Sequence, residues 1–351
     1  MISKKISIVV LMGGKTPEHE ISLISGREVV KSLDPEKYNI FPVTISRNGN
    51  TWKLTPTESL LESEDILKLR SSNHDLITKG AREIQGVKGI SQVKPDVVFI
   101  AMHGPFGEDG TVQGMLELAG LKYTGSGVLA SALGMDKLMF RKIMAYEGIP
   151  IPKYIVVIKE SRKSGKELRQ EVKNILGKPP YFVKPNNQGS SVGISKINNL
   201  NELINALKTA FEYSNTVLVD QMIHGMEVTC AVLGNDKPIA LPVIEIVPHK
   251  GDFFNYESKY FESGSEEIVP ARIPLKVTRV VQKMTLGVYG AVGCRGFARV
   301  DFILKNGVKP VVLEINTIPG ITSMSLLPKA AKAAGIRYAG LIDKIINYAL
   351  G

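Results

Sequence analysis

The chain of 351 residues contains only two cysteines, Cys230 and Cys294. They form no CxxC or Cys/His cluster, which excludes a disulfide framework and a sulfur-ligated zinc site and fits a reducing compartment. Long hydrophobic runs are missing as well. The longest, Ile6 to Met12 and Val97 to Met102, fall far short of the ~18 residues of a membrane span, so no transmembrane helix is expected. The basic residues near Met1 precede too short an apolar stretch, and Gly13-Gly14-Lys15 offers no small-residue cleavage site, so no signal peptide is expected and the chain reads as cytoplasmic. There is no Gly/Ser or Gln/Asn tract, and with 44% hydrophobic and 22% charged residues the disordered and fibrous classes are excluded. No GxxxxGK[ST] phosphate loop occurs, and Gly125-Ser-Gly127 is too short to match a dinucleotide fingerprint.

What is present is an enzyme-sized, three-part chain with a net charge of +10. The excess is uneven: residues 1–120 hold 14 basic and 15 acidic side chains, residues 121–215 hold 15 and 7, and residues 216–351 hold 15 and 12. Nucleic acid, an anionic membrane surface and small anionic substrates all fit such a balance. Stacking on nucleic acid needs aromatics among the cations, and residues 159–178 have none, so the basic stretch reads as a solvated face.

The first third alternates β and α. Ile6 to Met12 reads as a strand buried on both faces of a parallel sheet. After Gly13-Gly14, Thr16-Pro17 would cap a helix over Ile21 to Leu33. Lys37 to Thr44 and Pro95 to Met102 read as further strands, and Glu58 to Leu69 as a helix or loop. Ligands of open parallel sheets bind beyond the carboxyl ends of the strands, where both glycine loops lie, Gly13-Gly14 and His103 to Gly110. Glu20 is a candidate there, although a first-turn acid is also favoured by the helix dipole alone. His103, ending a buried strand, is a candidate ligand contact. A helix over Asp136 to Tyr146, strands at Tyr154 to Ile158 and Tyr181 to Lys184, and a charged helix over Gly165 to Ile175 follow. A Gly/Ser loop covers Gly189 to Gly193, and strands at Val217 to Val219 and Met226 to Leu233 open the last part. Lys137 and Lys184 are candidate phosphate cations, and the Gly/Ser loop either wraps phosphate with backbone N–H groups or is a plain surface loop.

The most informative segment runs from Arg299 to Asn316. Asn306-Gly307 is a strong hairpin signal. With those two residues as the loop, Arg299 faces Glu314 and Asp301 faces Val312. Arg299, Asp301, Glu314 and Asn316 then share one face, while Phe302, Leu304, Val311, Leu313 and Ile315 form the buried one. A three-residue loop would break that register. Two carboxylates and an amide oxygen so close together suit a hard cation, Mg²⁺ above all, although a solvated polar face would account for the same residues.

Taken together these segments resemble the D-alanine–D-alanine ligases of the ATP-grasp superfamily, essentially from end to end. The matching stretches include Glu18-His-Glu-Ile-Ser22, His103-Gly104 with Gly107-Glu-Asp-Gly110, Tyr123 to Gly127, Met135-Asp-Lys137, Val183-Lys-Pro185, Gly189 to Gly193, Glu257 to Tyr260, Ala298 to Asp301, Leu313 to Gly320 and Thr322 to Ser325. The resemblance implies an α/β, three-domain ATP-grasp fold with a Rossmann-like parallel-sheet domain at 1–122, a central ATP-grasp domain at 123–215 and a metal and substrate domain at 216–351. It implies a cytoplasmic homodimer that uses ATP and two Mg²⁺ or Mn²⁺ ions to join two D-alanines through a D-alanyl phosphate for peptidoglycan synthesis.

By position, Glu20 would hold the first D-alanine's ammonium, with His103 beside that substrate. Lys137, Lys184, Asp220, Gln221, Ile223 and Glu227 would bind ATP, and Asp301, Glu314 and Asn316 the metal. Lys259 and Tyr260 would lie on a closing loop, with Tyr260 linked through Ser190 to Glu20. Arg299 and the Gly320 N–H would stabilise the oxyanion, and Ser325 with Leu326 would receive the second substrate's carboxylate. The family often has Glu where Asp220 stands. A ligase taking D-lactate or D-serine second is the nearest rival, and Tyr260 argues against D-lactate. Neither a nucleic-acid nor a membrane partner is implied.

Overall fold

The computed structural model describes residues 4–62, 80–248 and 265–351. Its strands form three sheets. The first contains β1 (Ile6–Gly13), β2 (Tyr38–Ile45), β3 (Trp52–Leu54), β4 (Arg82–Ile84) and β5 (Val97–Ile100) in the order β4-β3-β2-β1-β5. β1 runs parallel to β2 and β5, as its unbroken apolar sequence requires, and the antiparallel β3 and β4 extend one edge. The first helix covers His19–Ser32, beginning two residues earlier than expected. Its N-cap position is Glu18, and Thr16 and Pro17 lie in the preceding turn instead of capping it.

The second sheet is antiparallel, with β6 (Tyr154–Ile158), β7 (Tyr181–Pro185), β8 (Ser195–Ile197) and β9 (Thr216–Gln221) in the order β6-β9-β7-β8. The charged helix covers Gly165–Leu176, and its N-terminus is fixed by a capping box between Ser164 and Glu167. Its buried residues, Leu168, Val172 and Leu176, meet Leu203, Leu207 and Ala210 of helix Leu203–Phe211 in one small core. β9, expected to open the last part of the chain, is thus a strand of this sheet.

The third sheet has β10 (Gly225–Leu233), β11 (Ile239–Ala240), β12 (Ile244–Pro248), β13 (Ser265–Ile268), β14 (Phe297–Lys305) and β15 (Lys309–Asn316). Val281, Val288 and Val292 of helix Leu275–Val292 share a core with Val300, Phe302 and Leu304 of β14.

The β14–β15 hairpin departs from the expected register. Lys305 pairs with Lys309, so the loop has three residues, which alone would turn the ligand positions away from one another. A bulge between Asp301 and Phe302 corrects this: Phe302 pairs with Val312, but Asp301 pairs with Glu314 and Arg299 with Asn316. The skipped residue is Leu313, which leaves the buried face and lines a cavity with Ile303.

Helix Tyr338–Leu350 returns to the first sheet. Leu341, Ile342, Ile345 and Ile346 are fully buried in the same core as Ile8, Val10 and Phe99. Lys37 and Tyr38 both bond the Asp343 carboxylate at 2.6 Å, holding the helix to the start of β2.

Candidate functional site

Two cavities of about 520 and 530 Å³ open where the sheets meet. The larger roles divide between them by chemistry. The first is lined by His103, Lys137, Ser190, Arg299, Asn316, Gly320, Ser325 and Leu326, so eight residues expected in the site gather there from strand ends, loops and the hairpin. The second is lined by Lys184, Asp220, Gln221, Ile223, Glu227 and Asp301. Glu314 stands in the wall of both.

Glu20 is the main correction. It forms an ion pair with Arg47 and lies outside both cavities. The carboxylate that reaches the site is Glu18, which is 4% exposed and accepts a hydrogen bond from the Ser190 hydroxyl. The two acids are two residues apart, about 200° around a helix, so only one can face the glycine loop. Lys259 and Tyr260 lie outside the described residues.

The Gly189 to Gly193 loop separates the cavities, with Ser190 lining the first and Ser191 the second. Both serines hold left-handed backbones, φ +48° and +61°, a conformation that is rare and costly for residues other than glycine. Lys137 begins helix Lys137–Tyr146, whose N-cap Asp136 accepts from Met139 N. The Lys137 ammonium donates to the Gln188 carbonyl at 2.5 Å, beside that loop.

His103 is buried, with Nε2 2.9 Å from the Ser25 hydroxyl and a further hydrogen bond to the Ile318 backbone. Burial holds its imidazole below the ordinary value, and the nearby Glu18 charge offsets only part of this. One acid that the sequence did not single out shares the cavity. Burial and the Glu18 carboxylate push the Glu108 carboxyl up to about 8, with Glu314 adding to the effect. Its oxygen accepts from Gly104 N at 2.5 Å. A buried acid raised by a neighbouring carboxylate marks a place where positive charge is wanted.

On the hairpin, Arg299 donates to both Asp301 oxygens at 2.9 and 2.8 Å, and Thr229 donates to one of them at 2.6 Å. Asn316 donates Nδ2 to Asp301 at 3.1 Å and so keeps its amide oxygen as an acceptor. Asp301, Glu314 and Asn316 therefore present oxygen donors alone, adjacent across two strands. That donor set fits a hard divalent cation and no softer metal.

In the second cavity Asp220 does not stand open to a ligand. Its carboxylate is 2% exposed and takes the Arg141 guanidinium through both oxygens, with the Lys184 ammonium 3.2 Å away. Burial alone would raise this carboxyl, but the two cations outweigh burial and hold it below the ordinary range. Gln221 donates its side-chain amide to the Leu176 carbonyl at 3.0 Å, which ties the hinge to the charged helix.

Comparisons with known proteins place the chain in a family. Sequence models of the D-ala D-ala ligase N-terminus and C-terminus match residues 7–126 and 143–347. A D-alanine–D-alanine ligase of Caldicellulosiruptor bescii is 40% identical over 99% of this chain and 95% of its own. Among solved structures, the D-alanine–D-alanine ligase from Coxiella burnetii superposes with a TM-score of 0.82 at 32% identity, covering 99% of this chain and 95% of its own. The VanG D-Ala:D-Ser ligase of Enterococcus faecalis gives 0.80 at 34%, covering 99% and 100%. The Bacillus anthracis D-alanine–D-alanine ligase complexed with ATP gives 0.73 at 33%, covering 98% and 97%. The chain belongs to the D-alanine–D-alanine ligase family.

Proposed function

We infer that the chain carries out the ATP-dependent joining of two D-alanines for cell-wall synthesis, with the first cavity holding the amino acids and the second the nucleotide. The observation that carries this division is Glu314, which faces both cavities and so stands where a phosphoryl group would pass between them. The γ-phosphoryl group of ATP moves to the carboxylate of one D-alanine. The amine of the second then attacks the carbonyl carbon of the D-alanyl phosphate, a C–N bond forms, the C–O bond breaks and phosphate leaves.

In this reading Glu18, in place of Glu20, takes the first ammonium, and His103, neutral at working pH, borders that substrate. Lys184, Gln221, Ile223 and Glu227 hold ATP, with Lys137 and the Gly189 to Gly193 loop on its phosphates. Asp301, Glu314 and Asn316 hold Mg²⁺ or Mn²⁺, proposed as two ions, whose charge would offset that of the transferring phosphoryl group. Arg299 and the Gly320 N–H face the oxyanion, and Ser325 with Leu326 receives the second carboxylate. Such chemistry needs positioning and positive charge more than covalent participation, which is what the cavities supply. The units proposed are 1–122, a central one from 123 and a last one, with the central unit running to Gln221 because β9 belongs to its sheet. We propose a cytoplasmic homodimer on the family resemblance. Among the described residues no helix is long and apolar enough to cross a membrane.

The test is product analysis with ATP, Mg²⁺ and a panel of D-amino and D-hydroxy acids. D-alanine alone should yield D-alanyl-D-alanine, ADP and phosphate. Turnover that appears only when D-lactate or D-serine is added would overturn the substrate assignment.

A further inference from the structure

We propose that Arg141, which touches neither cavity, is a positioning residue that keeps the Lys184 charge available to the phosphates of ATP by occupying the carboxylate that would otherwise cancel it. The inference rests on the reading of the second cavity as the nucleotide site.

Three charges lie in a row: Arg141, Asp220 and Lys184. The outer two are cations and share the single carboxylate between them. Arg141 is 1% exposed, so its charge never meets solvent or substrate. Lys184 is 18% exposed and lines the second cavity, so its charge is the one presented to a ligand. The carboxylate is shared unequally. Arg141 reaches both oxygens, with Nη2 2.6 Å from Oδ2, whereas the Lys184 ammonium is 3.2 Å from the same oxygen. Bidentate guanidinium pairing is the stronger arrangement, and it leaves the lysine the weaker claim on the carboxylate.

The guanidinium is held for this task from the other side. Its central carbon sits 4.9 Å from the Tyr154 ring centroid, a cation–π contact, in the strand next to β9. Arg141 also lies one turn after Lys137 on the same helix, and that helix is tied to the phosphate-side loop. Lys137 N donates to the Asn186 carbonyl at 3.1 Å and Leu138 N to the Asn186 side chain at 2.8 Å. The row has a net charge of +1 (two cations, one anion). Without Arg141 it would be neutral, with Lys184 paired to a buried carboxylate, which would present an ATP phosphate with no net charge. Without both Arg141 and Asp220 it would be +1 again.

That arithmetic defines the experiment: steady-state phosphate release in the purified chain with ATP and D-alanine varied separately, and Tm measured for each variant. In R141M, KM for ATP should rise by roughly tenfold or more, the scale of losing one charge-assisted contact, while KM for D-alanine holds. In the double variant R141M/D220N the row regains its net charge, and KM for ATP should return to within about threefold of the wild-type value, whatever happens to Tm. R141K keeps the charge and gives up the fork, and its KM for ATP should fall between those of wild type and R141M; it serves also if R141M does not fold. A double variant no better than R141M, or R141K as impaired as R141M, would overturn the inference. A wild-type chain that releases no phosphate from ATP with D-alanine would instead overturn the underlying reading of the site.

Discussion

Gly104 offers a test of whether Glu18 is the acid that matters. Its backbone is left-handed, φ +70°, and a Cβ added there would lie 2.5 Å from Glu18 Oε2 and 2.7 Å from Thr16 Oγ1. Real Cβ contacts stay beyond 3.0 Å, so in Gly104→Ala the Glu18 oxygen must move by at least 0.5 Å (3.0 minus 2.5) inside a pocket that leaves it 4% exposed. Such a shift turns the carboxylate whose other oxygen, Oε1, accepts from the Ser190 hydroxyl, and weakens that hydrogen bond. A hydrogen bond to a charged group contributes about 1.5–3 kcal/mol, so kcat/KM for D-alanine should fall roughly tenfold to a hundredfold. The left-handed alanine also costs about 1–2 kcal/mol of stability wherever it stands. Gly293→Ala controls for this: its backbone is left-handed, φ +77° and ψ +34°, and nothing lies within 4 Å of its Cβ. Phosphate release at saturating ATP with D-alanine varied, set beside urea denaturation, separates the two costs. The two variants should lose similar stability, and only Gly104→Ala should lose activity. A Gly104→Ala enzyme within about twofold of Gly293→Ala in kcat/KM would refute the role given to Glu18.

Three further outcomes are expected. Glu314→Gln should lose roughly 10²-fold or more in kcat, the scale of one removed electrostatic contact, and should need more Mg²⁺, as a magnesium titration of phosphate release would show. His103 is held below its ordinary pKa of 6.5 by burial, so the unfolded chain binds a proton that the folded chain refuses, and stability is lost as pH falls through 6.5. His103→Gln should therefore flatten the decline of Tm between pH 7 and pH 5. Phe302, fully buried behind Asp301, should cost about 3–5 kcal/mol when replaced by alanine, measurable as a lower urea midpoint with kcat reduced only as far as the hairpin loosens.

The parts legible in the sequence are those written in short-range patterns. β1 and β5 are continuous apolar runs, and the helix from Gly165 has both members of its capping box in view. The hairpin's turn was also legible, but its register was not. A bulge leaves no mark on period-two alternation, so Leu313 read as core although it lines the second cavity. Parity survived because two departures, the three-residue loop and the bulge, cancelled. Glu18 and Glu20 were indistinguishable for a different reason. Which acid faces the site depends on how the first helix is rotated against β1, and that is fixed by Leu23, Gly26 and Val30 packing on the sheet, not by either glutamate. The role of Asp220 hangs on Arg141, 79 residues away, and no local pattern announces such a partner.

Helix Tyr338–Leu350 has a consequence for biosynthesis. The face of the first sheet that it covers is made by residues 6–13 and 97–100, yet its cover is translated only after residue 337. A nascent chain carries that apolar face open from residue 100 until the helix emerges, and a message truncated near residue 337 would yield a protein with both cavities encoded but the first sheet unroofed. Such a product should be a substrate for chaperones and proteases, and its loss would register as low abundance in the cell.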